Sequence, residues 1–315
     1  MNKTMTYLWF GGICFLAAVL VFSACGEKSE VPKGQAEGGM EADILSPVPE
    51  EAQALSLFGE PLVVPEPKEA ILEKYEAARA EYEALPDDPR FYRHQGHRYI
   101  SIREFDRAIQ DLKKAASLIK GTEDEIEPDG MPNEQNIPVS SLHTNIWYHL
   151  GLAYYLKHDL ENALRAYRNG IEASQNDDML VATTHWLYMT LRLLGRDEEA
   201  RQSLESIRKE MNVIENMAYH QLCLFYKGEL SEDELTGDGF SSIMNDAVAY
   251  GLANYFFYSG DREKAGELYE RILAGKVWAS FGYIAAEADY HREFMREIQQ
   301  PPRDHPLQRP HGGRF

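Results

Sequence analysis

The sequence predicts an all-α fold: an array of stacked antiparallel helix pairs closed by a C-terminal capping helix. Three observations predict it. Apolar residues recur at helical spacing from about residue 67 to residue 299. A pattern of large apolar, small and aromatic positions returns four times at long intervals. Each copy carries a short charged turn that ends in alanine: Glu104–Ala108, Asp159–Ala163, Arg196–Ala200 and Asp261–Ala265.

Composition narrows the function. The 315 residues carry 51 acidic and 32 basic side chains, a formal net charge of −19. Phosphate backbones bind to cationic faces, so nucleic acid is not an expected partner. A hydrophobic content of 44% supports a sizeable core. Three cysteines, Cys14, Cys25 and Cys223, are too few for a disulfide framework or a four-thiolate zinc site. Cys223 lies among Tyr219, Leu222, Leu224 and Phe225, where it reads as a small buried hydrophobe.

Along the chain, Lys3 precedes an apolar run from Leu8 to Phe22, too short for a spanning helix and of the length of a signal h-region. The run ends in Phe22-Ser23-Ala24-Cys25, which resembles a bacterial lipobox. The resemblance implies that residues 1–24 are a removed signal peptide and that Cys25 carries the lipid. The rest would then be tethered to a membrane of the bacterial cell envelope, facing the periplasm or the surface. Residues 25–66, rich in proline and acid, are expected to be a disordered tether. Within them Leu55–Phe58 and Leu62–Val64 are apolar enough to dock on a folded part. Ile71, Tyr75, Ala78 and Tyr82 predict a helix that Pro86 and Pro89 end.

The clearest unit is Trp147, Leu150, Gly151 and Tyr154, followed by Ala163 and Tyr167. Trp147, Leu150 and Tyr154 share one face of a first helix. Gly151 admits the second helix, Ala163 is small at the crossing, and Tyr167 fills the space between neighbouring repeats. This spacing resembles the tetratricopeptide repeat (TPR) family. The template recurs from Tyr92 through Gly96 to Ala108, Leu112 and Ala115. It recurs again over Leu187, Leu191, Ala200 and Leu204, and over Leu252, Phe256, Ala265 and Tyr269. The resemblance implies a right-handed TPR solenoid over 67–299, with units near 89–119, 144–177, 181–211 and 246–275. Lys120–Ser140 is expected to be a surface loop, and 213–243 a truncated extra unit. Trp278–Phe294 reads as an amphipathic cap with one polar face, and 300–315 as a disordered tail.

No phosphate loop, nucleophile elbow or paired metal-binding cysteines occur. His94 and His97 are three apart, half of a metal site at most, and no metal, cofactor or enzymatic activity is expected. In the TPR family the first helices line a concave groove. The slots fall here on Arg93 and His97; on Asn145, Tyr148, Leu152 and Tyr155; on His185, Met189 and Arg192; and on Tyr250, Asn254 and Phe257. Aromatics and arginine dominate interface hot spots. The resemblance thus implies a scaffold that holds a protein or peptide partner in its groove. Aromatic stacking on glycans is the second reading.

Overall fold

The computed structural model describes residues 52, 54–63, 87–127, 133, 135–236 and 246–295. The expected signal peptide, Cys25, most of the tether, the helix before Pro86 and the tail after residue 299 lie outside these residues.

The described chain is all-α apart from one small hairpin, β1 (Ala54–Leu55) with β2 (Pro61–Leu62). They pair antiparallel, Ala54 opposite Leu62 and Leu55 opposite Pro61. The helices come in pairs: α1 (Pro89–Ser101) with α2 (Phe105–Leu118), α3 (Leu142–Leu156) with α4 (Leu160–Ala173), and α5 (Asp177–Leu193) with α6 (Asp197–Ser203). Next come α7 (Met217–Lys227) with α8 (Glu232–Thr236), then α9 (Asp246–Tyr258) with α10 (Arg262–Leu273), and finally α11 (Phe281–Glu293). The short α7/α8 pair occupies the stretch between the third and fourth sequence units.

One local device makes all five pairs. The first helix ends in a left-handed residue: Arg103 (φ 66°), His158 (φ 61°), Gly195 (φ 71°), Gly228 (φ 75°) or Gly260 (φ 93°). The next residue's N–H then reaches back five residues: Glu104 to the Tyr99 carbonyl, Asp159 to Tyr154, Arg196 to Leu191, Glu229 to Leu224 and Asp261 to Phe256, all at 2.8–2.9 Å. This closure satisfies carbonyls at the helix end and turns the chain back on itself. Asp159 and Asp261 then cap the second helices by accepting from Asn162 N and Lys264 N. The partner helix closes tightly over Gly96 and Gly151. A Cβ there would lie 2.4 Å from Leu112 Cγ and 2.5 Å from Tyr167 Cε1.

Three sequence expectations change. Residues 54–63 of the expected disordered tether are folded, with Leu62 in the core. The expected surface loop is anchored from within, since Glu127 and Val139 are buried. The capping helix has no polar outer face along most of its length. Every residue of α11 from Phe281 to Asp289 is buried, Glu287 and Asp289 included. Among the described residues no helix is long and apolar enough to cross a membrane.

Candidate functional site

The first helices α1, α3, α5, α7 and α9 turn their inner faces toward one another, and α11 lies among them. The curl is tight. Tyr155 of the second pair and Tyr250 of the fifth meet with their hydroxyl oxygens 2.7 Å apart. The expected open groove is therefore closed. Of its twelve expected lining residues, Arg93, His97, Asn145, Tyr148, Leu152, Tyr155, His185, Met189, Tyr250 and Asn254 are all buried. Arg192 and Phe257 alone among the twelve keep partial exposure. The reason is physical: aromatic and apolar side chains on facing helices gain more by packing on each other than by facing water.

At one end of this interior, Glu127 descends from the 119–141 connection. Its Oε1 accepts from Arg93 Nη2 at 2.7 Å and its Oε2 from Asn145 Nδ2 at 2.5 Å. Arg93 also lies within 3.2–3.4 Å of the His94 ring nitrogens. Beyond it, the His97 and His149 rings sit 4.9 Å apart, and both meet the Phe281 ring of α11 at 5.4 and 5.6 Å. Burial, reinforced by the Arg93 charge, holds these histidines neutral. His94 is pushed down to about 2 and His149 to about 4, and His97 lies well below the usual imidazole value. Among the described residues no group of three or more His, Cys, Asp or Glu side chains is disposed to hold a metal ion.

The middle is an aromatic stack. Trp186 Nε1 donates to Tyr148 Oη at 2.8 Å, and the Trp186 ring stacks on Tyr250 at 5.7 Å. His185 lies between Tyr219 and Tyr226, stacked at 4.5 and 5.8 Å. Burial alone lowers it to about 3. Cys223 is fully buried, and its environment pushes the thiol up, away from the reactive thiolate.

At the other end α11 supplies acid. Asp289 Oδ2 accepts from Tyr250 Oη at 2.8 Å and Tyr269 Oη at 3.3 Å, and Asp289 Oδ1 pairs with Arg292. Asn254 Nδ2 donates to Tyr155 Oη at 3.0 Å. Glu287, two residues earlier, pairs with Arg103 of the α1/α2 turn at 2.5 Å, both side chains being almost fully enclosed. Helix α11 thus touches the first, second and fifth pairs at once. Sequence reasoning missed Glu127, His149, Trp186, Phe281, Glu287 and Asp289. Trp186 and Phe281, bulky aromatics on helices, were the findable signals. The acids carry no local signal, since their partners lie far away in sequence.

Two features face outward. A ledge at the C-terminal ends of α5, α7 and α9 carries Arg192, Phe225, Tyr255 and Tyr258, all partly exposed, while Phe257 turns to Arg262 and Phe294. Arg192 lies 4.4 Å over the Tyr258 ring and pairs with Asp197 at 2.9 Å. Between α2 and α3 a shallow cavity of about 460 Å³ is lined by Trp147, His143, Thr122 and Lys120, among others. Thr122 Oγ1 and His143 Nε2 are 3.0 Å apart at its edge.

The Tetratricopeptide repeat family matches residues 144–177, which span α3 and α4 with their turn. No curated protein matches the chain.

Proposed function

We propose that this protein is a non-enzymatic interaction scaffold of a bacterial cell envelope, held at a membrane by lipid on Cys25. The observation that carries the reading is the tetratricopeptide repeat at 144–177 within an array of five similar helix pairs. Such repeats present surfaces to other proteins. The Phe22–Cys25 motif supports the anchor. Two-signal or multi-chain lipidation is what makes such anchoring stable. The partner is a protein or peptide, and in the closed state it engages the aromatic ledge, where Arg192 and Tyr255 offer the residue types that carry interface energy.

The test is a crosslinking pull-down from native membranes. The Arg192→Ala/Tyr255→Ala variant should lose the partner while keeping the wild-type circular dichroism spectrum. Cys25→Ala should lose acyl label and membrane association. Retention of the partner by the first variant removes the ledge as the site, and unchanged fractionation of the second removes the lipid anchor. The cavity beside Trp147 favours one further reading, a glycan stacked on the indole. A thermal shift with envelope glycans that Trp147→Ala abolishes would support it.

A further inference from the structure

The hairpin at 54–63 is held by two backbone bonds and by side chains, with Ala54 and Leu57 packed against the core. The Leu57 N–H donates to Glu287 Oε1 at 2.6 Å, and the Val63 carbonyl accepts from Trp278 Nε1 at 2.9 Å. Leu62 is the one large hairpin side chain sunk in the core, while Leu55 and Val63 stay exposed. Phe58 adds an edge-on contact with Tyr290, ring centroids 6.4 Å apart.

The surface that receives the hairpin is far more elaborate than the hairpin itself. Glu287 is fully buried and gives its other oxygen to Arg103. The Arg103 guanidinium lies against the Trp278 and Tyr283 rings at 5.6 and 5.9 Å. It also donates to the carbonyls of Ser101 and, at 2.9 Å, Trp278. Arg103 holds the left-handed position that ends α1, φ 66°, as the corresponding residue does in each of the other pairs. A buried carboxylate oxygen needs a donor, and the donor here is a main-chain N–H, which a segment of any sequence can offer. Recognition by backbone bonds with one apolar pocket is the logic by which extended peptides bind protein surfaces.

We propose that the cleft formed by Arg103, Trp278, Tyr283, Glu287 and Tyr290 is a peptide-binding site. At rest it is occupied in cis by residues 54–63, and it exchanges them for a short apolar turn segment of a partner protein. The site deepens the scaffold reading and rests on it for the existence of a partner. The hairpin is then an autoinhibitory occupant that arrives on the tether. A covalently attached segment competes at an effective concentration in the millimolar range, so only a better segment, or a loosened hairpin, allows exchange.

The experiment uses the full chain and a fluorescent peptide with the sequence of residues 52–64. Leu57 stands second in the Ser56–Gly59 turn, closed by Gly59 N to Ser56 O at 2.9 Å. Proline suits that turn position. Leu57→Pro therefore removes the donor and keeps the turn, and Leu62→Asp removes the apolar anchor. The peptide should bind the double variant at least about tenfold more tightly than wild type, as competition in cis is relieved. A peptide N-methylated at Leu57 should bind that variant at least about tenfold more weakly, for want of its charge-assisted bond. Hydrogen exchange should show residues 54–63 released in the variant with α3–α6 still protected. Equal binding of the two peptides overturns the proposal. So does no binding to a variant whose hairpin is released, or a hairpin that stays protected. If the double variant fails to fold, Leu57→Pro alone carries the same three criteria. Because the probe is the chain's own segment, a failed pull-down leaves this result standing, and a failed peptide titration leaves the ledge standing.

Discussion

Two glycines of this array do opposite jobs, and substitution separates them. Gly151 has an ordinary helical backbone, but its missing side chain is where Tyr167 packs. A Cβ would fall 2.5 Å from one ring carbon and 2.6 Å from the next. Tyr167 is fully buried and cannot swing aside. Gly151→Ala should therefore cost about 1–3 kcal/mol, the range for overfilling a packed core. Gly195 has open space around it and a φ of 71°. Gly195→Ala pays only for the left-handed backbone, about 1 kcal/mol. Urea midpoints of both variants measure the difference. If Gly195→Ala is the more damaging, backbone strain rather than packing governs the pairs. The comparison also explains what could be read in advance. Trp147, Gly151, Ala163 and Tyr167 sit within one pair, so their spacing alone announces their contacts. Tyr155 and Tyr250 lie 95 positions apart and Arg103 and Glu287 lie 184 apart. No local period reports such meetings, and a tyrosine suits an open groove as well as a closed core.

At the scale of elements, the short α7/α8 pair poses the sharpest question, since its second helix has five residues. Its support comes from the preceding pair. Asp178, buried near the start of α5, accepts the N–H groups of Ile214, Glu215 and Asn216 at 2.8 Å each, and Asp177 accepts from Asn212 at 2.7 Å. These donors precede α7, where the half-buried and buried amides of 214–216 would otherwise lack a partner. Asp178→Ala should destabilise the protein by about 2–4 kcal/mol, as several charge-assisted bonds are lost together. Hydrogen exchange should rise first across 212–227 and leave α3 and α4 protected. Uniform loss of protection would mean that α7 is no separable element. Acid at a helix start commonly faces water, as Glu198 does on α6, but Asp178, Glu127 and Glu287 are structural acceptors inside the fold, and no local pattern separates the two roles.

For the whole molecule, closure of the interior over neutral histidines ties stability to pH. His97 and His149 lie between Arg93, with its Glu127 partner, and Phe281. His185 lies between two tyrosine rings, its Nδ1 3.4 Å from the Tyr226 hydroxyl. Unfolded, each would titrate near 6.5. Folded, burial holds His149 to about 4 and His185 to about 3. A folded value below the unfolded one means that the unfolded chain takes up more protons as pH falls. Stability is then complete above about 6.5 and declines below it, by about 1.4 kcal/mol per pH unit for each such histidine. The decline continues until the folded group itself titrates, near 4 for His149 and near 3 for His185. Urea midpoints between pH 7 and pH 4.5 read it directly. Carboxylates that titrate in the lower part of that range add to the slope in every variant, so the decisive quantity is a difference between variants. His185→Phe keeps a ring between Tyr219 and Tyr226 and removes the titrating nitrogen. It should match or exceed wild type at pH 5 and lose less of its midpoint on the way there. Parallel midpoint curves for the two proteins would show that His185 is reached by protons in the folded state, and that the interior is open to water where the packing closes it.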